Sequence, residues 1–575
     1  MTDLAMLGTV HSTDILIVGG ALSGLTAAIT AKETDPQLDV LIVDKARASK
    51  GWAGKASRTA GLISYVSKDN DPEDFVKFNL NEIGFFLNDQ HMLRDFAYNS
   101  RRLVEHATVW GVEYKRDENG GIEVAQWPFP FVTGGIDPDM CLAMSAYAKK
   151  QGVSFIDRIV IVDLLKDGGR MAGACGFSIV DGSFHIFNAK SVILACGSQN
   201  FDITPIWCST GIGQAMAFRA GAQMRNAEFA NMGDFARVDE DGKTLYYGMH
   251  GGAHIGHDHL YAKGENISQK WRPGFHTSYD PHAANAWYQE TIAGNGPVVM
   301  DMNEFNARGG GSEFFKYHPE GLRRYTHNQE VAGYPFQNQV FQVVPGVISE
   351  LSCIRINNQA ETTIPGLFAV GDAAGEGSAR AGAVPTPPAK IHGTGLMNAL
   401  FLGSKGGPGA ATHARAILAS GTATTVDVAE VERIREETFA PLQRKGGVSG
   451  REIIHTVQEA MAPVDYVMVK SEARMTEALG WVDKAKAMLP EMAAEDYHEL
   501  SKCVDARSMV IGAELFYRAS LERKESRGFH LREDYPQTDN ENWLKWIIIT
   551  RDRDGMKITT EPIPFDAYDY KPPVG

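Results

Sequence analysis

Gly19, Gly20, Ala21 and Gly24, followed by Asp44, are the first residues in this 575-residue chain whose types and spacing could do chemistry. In the form G-x-A-x-x-G, Gly19 allows a sharp turn and Gly24 lets a helix lie close on the preceding strand. Ala21 stands where a middle glycine is usual, and its methyl still allows a pyrophosphate to approach. That group would rest on the free N–H groups of a helix starting near Leu22 and Ser23. Asp44, about 20 residues on, can accept hydrogen bonds from an adenosine ribose, so the chemistry is the binding of an adenine dinucleotide. A second set is the tract YGMHGGAHIGHDH, with His250, His254, His257 and His259. Neither H-E-x-x-H nor a cysteine pair accompanies it, so a cofactor or substrate cleft is expected there and no metal. Third, Arg380 and Lys390 flank the proline-rich segment AGAVPTPPAK, where they could hold an anion, and His392 follows, able to exchange protons near neutral pH.

A βαβ unit must position the first set. Ile15-Leu16-Ile17-Val18 reads as a strand buried on both faces, and Val40 to Val43 as a second strand ending at Asp44, with Lys45 and Ala46 leading into a loop. That loop, KARASKGWAGKASRTAGL, is rich in small residues that let backbone approach phosphates; Ser49, Lys50, Ser57, Arg58 and Gly61 are its candidate contacts. Residues 71–111 read as helical and 153–200 as strands, the last ending on Ala195-Cys-Gly197, small residues that clear a bound dinucleotide. The rhythm breaks from about 205 to 345, as an inserted cap would break it, and returns in Leu367 to Val370, which ends at Gly371-Asp372. Beyond residue 425 the chain reads as helical, with Ser449 and Glu452 forming a capping box.

The expected fold is therefore α/β: a Rossmann-like domain in two parts (1–205 and 346–424), an inserted α+β capping domain (206–345), and a helical domain with a C-terminal tail (425–575). A net charge of −15 argues against nucleic acid or an anionic membrane as partner. No apolar run is long enough to span a bilayer, and residues 1–12 lack a basic stretch followed by an apolar one, so a cytoplasmic place is expected. The six cysteines form no C-x-x-C pair, which points to free thiols and to no iron–sulfur cluster on this chain.

Over essentially its whole length the chain resembles the flavoprotein subunits of the succinate dehydrogenase and fumarate reductase family. Four motifs carry the resemblance: VGGALSG with Asp44, STGIGQAMAFRAGAQMRNAEF, IPGLFAVGDAAG, and RKESRGFHLREDYPQTDNENWLK from Arg523 to Lys545. Tyr288 to Asn303, YQETIAGNGPVVMDMN, is similar to the adenylylsulfate reductase alpha-subunit branch. The resemblance implies FAD held by the residues above together with Thr394, Gly395 and Leu396, a cap over the flavin, and an iron–sulfur or other electron-transfer protein as partner. It leaves a homo-oligomer open. The loop after Asp44 has no histidine where respiratory members attach the flavin, which implies non-covalent FAD.

Departures bear on the substrate. Where dicarboxylate-handling members carry His-Pro-Thr after Glu-Phe, Glu228-Phe229 here leads to Gly233-Asp234-Phe235. Their later substrate histidine aligns with Gln342 and their substrate arginine with Lys390, which cannot hold two carboxylate oxygens bidentately as arginine does. The branch's anion-binding arginine and asparagine are not found before Gly294-Asn295-Gly296. The reading is an FAD-dependent oxidoreductase moving a hydride between flavin N5 and a small polar or anionic substrate, at a C–C or C=C bond beside a carbonyl or carboxylate. The catalytic candidates are Arg380, Lys390, His254, His257, Arg272 and His392. The alternatives are an electron-transfer subunit working with an iron–sulfur partner, and a non-redox hydratase or lyase that uses reduced FAD.

Overall fold

The β-branched run that ends at Val18 forms a longer strand than its apolar core suggests, Thr9–Val18, because its polar first half still pairs with Phe184–Leu194. On its other side it pairs in parallel with Val40–Asp44, which pairs in turn with Ser154–Asp157. The central strands are buried on both faces and carry little polar alternation, as expected of a parallel sheet covered by helices. The structure, a computed structural model, describes residues 3–54, 56, 62–126, 130–203, 209–231, 234–238, 244–245, 260–271, 281–301, 303, 340–346, 350–375, 394–422, 424–553 and 555–573.

Phe184–Leu194 is the pivot of the sheet. Its first half pairs antiparallel with Arg170–Ser178, which continues to Ile159–Asp167 at the sheet edge. Its last residues, Val192 to Leu194, pair in parallel with Leu367–Ala369, the strand by which the chain returns from the cap. One strand thus joins both parts of the Rossmann-like domain. Helix Leu22–Thr34, buried from Leu22 to Lys32, packs against the long helix Thr394–Ser420, and both helices contact this sheet. The two helices meet through glycines: a Cβ on Gly403 would fall 2.7 Å from the Ser23 carbonyl oxygen, and one on Gly407 2.2 Å from Thr30 Oγ1.

The interposed cap carries a sheet of Thr244–Leu245, Asp234–Val238, Val340–Gly346, Val298–Asp301, Leu260–Ala262 and Glu265–Asn266, with helix Pro281–Ile292 against it. Trp287 Nε1 donates to the Val343 carbonyl at 3.0 Å and fixes that helix. Beyond the Rossmann-like domain come helices Val428–Gln443, Gly450–Met461, Glu472–Met488 and Tyr497–Glu522; Ser449 and Glu452 form the expected capping box. The C-terminal region is not helical throughout. Lys545–Asp552 and Gly555–Pro562 form a hairpin, and its first strand pairs with Met224–Arg225, in a sheet with Ile354–Arg355 and Ala374–Gly375. Trp546 to Ile549 is an aromatic and β-branched run, buried throughout, and such a run of four suits a covered strand better than a further helix.

Candidate functional site

Three strand ends and two helix N-termini converge on the glycine turn. Gly19 has φ +105°, and a Cβ there would lie 2.4 Å from the Ala195 carbonyl oxygen; a Cβ on Gly24 would lie 2.0 Å from the Gly19 oxygen. Close contact thus demands glycine at both positions, and the backbone conformation demands it again at Gly19. Ala21 occupies the N-cap of helix Leu22–Thr34 and offers no capping side chain, which leaves the first N–H groups of that helix to an anion. Its methyl faces Gly54, whose own Cβ would come within 2.8 Å of it, so the loop after Asp44 folds back over the turn.

Asp44 is buried and fixes the turn. Its carboxylate accepts from the Gly20 N–H at 2.7 Å and from the Ala46 N–H at 2.6 Å. Burial pushes its pKa up, opposed by those two N–H groups. Spare lone pairs on the same oxygens can accept from ribose hydroxyls. Lys45 is exposed, and Ser49, offered for ligand contact by the sequence, instead donates to Asp157 and ties the loop to the neighbouring strand.

At the far ends of the other strands, the Ala195 N–H donates to the Val18 carbonyl at 2.8 Å and Gly197 takes φ +76°. Gly371, with φ +61°, packs so closely that a Cβ would touch Ser23 at 2.8 Å. Ser352 Oγ holds the Asp372 carbonyl at 2.6 Å. Thr394, Gly395 and Leu396 open the long helix that covers this corner. The structure thus brings together Gly19 to Gly24, Asp44 to Ala46, Ala195, Gly197, Gly371, Asp372 and Thr394 to Leu396. Ser57, Arg58 and Gly61 lie outside the described residues, as do all six catalytic candidates, Arg380, Lys390, His254, His257, Arg272 and His392.

One further residue belongs to this corner. Asn398 is buried in the first turns of the Thr394–Ser420 helix, and neither its amide oxygen nor its nitrogen has a protein partner among the described residues. A buried amide left unpaired is costly unless something else supplies its bonds. The glycine cradle, the uncapped helix end and this amide fit a flavin dinucleotide. A lone asparagine inside a helix carries no spacing signal, so Asn398 is found from its burial and its unpartnered amide alone.

The fold carries a second dense polar site. Glu525 receives Arg523 Nη1 at 2.9 Å, Arg527 Nε at 2.7 Å and Arg527 Nη2 at 2.9 Å. Arg523 Nε donates to Glu228 at 2.7 Å, and its remaining N–H groups go to the Trp543 and Lys545 carbonyls. Lys470 donates to the Glu228 carbonyl, Ser520 Oγ and His530 Nδ1 at 3.1, 3.2 and 2.9 Å, and His530 Nε2–H donates to the Arg523 carbonyl. That pattern requires a neutral His530. Burial, then the charges of Lys470 and Arg523, hold its pKa well below the usual imidazole value, and burial lowers Lys470 as well. The knot clamps Glu228, at the threshold of the cap, to the C-terminal motif.

The family model described as "FAD binding domain" matches residues 14–384, and that described as "Fumarate reductase flavoprotein C-term" matches residues 455–574. The chain belongs to the fumarate reductase and succinate dehydrogenase flavoprotein family. It is an FAD-dependent oxidoreductase. Among its relatives, a subunit of the CoM/CoB fumarate reductase of Methanothermobacter marburgensis is 25% identical, with 95% of this chain and 98% of that protein aligned. The 8-methylmenaquinol:fumarate reductase flavoprotein subunit of Wolinella succinogenes is 26% identical, over 95% and 90%. The fold also matches that of a quinol-fumarate reductase at a TM-score of 0.79, with 19% identity over 98% of this chain and 100% of that one. Adenylylsulfate reductase from Archaeoglobus fulgidus matches at 0.75, with 21% identity over 96% of each chain.

Among the described residues no helix is long and apolar enough to cross a membrane, and no group of His, Cys, Asp or Glu could hold a metal ion. The histidine tract from His250 to His259 lies outside them. Cys141, Cys175, Cys353 and Cys503 are buried free thiols, and Cys196 is a half-buried one.

Proposed function

We propose that this flavoprotein moves a hydride between flavin N5 and a small polar or anionic substrate, at a C–C or C=C bond beside a carbonyl or carboxylate. The observation that carries this reading is the end-to-end correspondence with a fumarate reductase over 95% of this chain and 98% of that one, with the dinucleotide cradle intact. Bound FAD supplies the hydride chemistry. The protein must bind the substrate anion, polarise its activating group and move one proton.

Arg380 and Lys390 are proposed to hold the anion, and His254, His257, Arg272 and His392 to supply polarising and proton-transferring groups. Lys390 offers a point charge where a substrate-clamping arginine would offer a fork. Gln342 is exposed on the cap sheet. Both features favour a substrate other than a C4 dicarboxylate gripped at each end. The flavin is proposed to be held without a covalent bond. The named relatives are subunits, which supports an iron–sulfur or other electron-transfer protein as partner of this chain. The buried free thiols favour a reducing compartment such as the cytoplasm.

The test is an anaerobic absorbance titration of the photoreduced protein against enoates, fumarate, adenylylsulfate and quinone-like acceptors. Return of the oxidised flavin band with one unsaturated acid is the expected result, and Lys390→Ala should slow it about 100-fold or more. Reoxidation by none of them except an artificial mediator would overturn the reading of substrate reduction.

A further inference from the structure

A cavity of about 590 Å³ lies between the edge strand Ile159–Asp167, the end of helix Ile212–Ala220, and helices Val428–Gln443 and Tyr497–Glu522. It is lined by six Lys and Arg side chains against four Asp and Glu. All four carboxylates are engaged. Asp163 receives Arg219 at 3.3 Å, Glu430 and Glu437 both receive Arg433, and Glu514 receives Lys486 at 2.8 Å. Two more cations satisfy the end of helix Ile212–Ala220: Lys166 donates to the Ala220 carbonyl at 2.6 Å and Arg551 to that of Arg219 at 2.7 Å. Such cations complement the negative end of the helix.

Arg507 remains. It is half-buried, its bond from Nη2 to the Glu437 carbonyl is long at 3.4 Å, and no carboxylate among the described residues lies within ion-pair distance. Burial, and after it the like charge of Arg219, pull its pKa below the ordinary guanidinium value. A guanidinium has five N–H donors in a planar fork, and most of these are unspent. The cavity therefore presents a partly desolvated arginine, a second arginine beside it and an excess of positive charge in a chain of net charge −15.

We propose that this cavity is a binding site for a small, multiply charged anion, whose carboxylate or phosphate oxygens are received by Arg507 with Arg219 and Arg551 alongside. The planar fork suits two oxygens of one such group, and the excess of cations, with every carboxylate already engaged, disfavours a neutral or cationic guest. Occupancy would tie the edge of the Rossmann-like sheet to the C-terminal helices and stabilise the fold by mass action. The site shares no residue with the flavin cradle, so it can fill while FAD is bound.

The experiment uses the FAD-saturated protein, which keeps anions off the pyrophosphate subsite. Thermal unfolding is followed in sodium citrate and in sodium phosphate, each against sodium chloride at matched ionic strength, and backbone hydrogen exchange is mapped under the same conditions. One or both anions should raise the midpoint saturably and slow exchange in residues 212–220 and 497–522, and the two arms tell a carboxylate from a phosphate ligand. Arg507→Gln should weaken the response about tenfold or more, and Arg507→Lys should weaken it less, with flavin content unchanged. An equal response in Arg507→Gln, no saturable response to either anion, or protection confined to other segments would overturn the proposal. If Arg507→Gln does not fold, Arg507→Lys and exchange in the unmodified protein decide.

Discussion

The flavin cradle and the buried charge knot solve opposite problems in one chain. The cradle works by having almost no side chains: Gly19, Gly24 and Gly371 stand where a Cβ would collide with neighbouring atoms at 2.0 to 2.8 Å, and backbone N–H groups are left for the ligand. The knot works through its side chains. Glu228, Glu525, Arg523, Arg527, Lys470 and His530 are all at most 3% exposed and are held by one another and by carbonyls. In the cradle, polar groups await a partner from outside. In the knot nearly all are used internally, and loss of one member strands the rest. The cradle should therefore fail first in ligand binding, and the knot first in stability.

The sharpest way to break this contrast is Glu525→Ala. It leaves Arg523 and Arg527 as buried charges without their shared carboxylate, and unfolding in denaturant should show a loss of about 3 to 5 kcal/mol. Gly19→Ala comes next. A Cβ at φ +105° facing the Ala195 carbonyl should cost about 1 to 3 kcal/mol, and the protein should purify folded by circular dichroism yet depleted of its yellow flavin band. Equal flavin loss in both variants, at equal stability, would remove the distinction.

The knot also carries a pH signature. His530 is neutral when folded, with its pKa held well below 6.5, whereas the unfolded imidazole has the ordinary value. The unfolded chain therefore takes up a proton first, and stability falls as pH drops below about 6.5, by up to about 1.4 kcal/mol per pH unit. His530→Gln should flatten the slope between about pH 6.5 and 5; an unchanged slope would mean that the imidazole does not stay neutral. Smallest is Ser449→Ala, which removes the hydroxyl that caps the Glu452 N–H and should cost about 1 kcal/mol without touching flavin content.

The same contrast explains what can be read from the sequence. The cradle is local: Gly19 to Gly24 and Asp44 lie in one βαβ unit, so their spacing announces their geometry. The capping box at Ser449 is legible for the same reason. Glu228 joins Arg523 and Lys470 across hundreds of residues, and no periodicity links them; only the length of the C-terminal motif signals that something specific is there. Asn398 escapes a sequence reading because a single asparagine inside a helix has no pattern of its own, and its significance is that both ends of its amide are buried and have no partner among the described residues. The C-terminal hairpin is hidden by the helices before it. Gly371 and Asp372 can be placed because a buried strand ends there, whereas the roles of Arg380 and Lys390 rest on the loop they flank and not on a described contact.

The most direct test of the cradle is to denature the purified protein in acid, separate pellet from supernatant, and measure flavin in each. About one FAD per chain, all of it released to the supernatant, is the expected result, with little or none bound to Gly19→Ala. Flavin retained in the pellet, or full FAD content in Gly19→Ala, would contradict it.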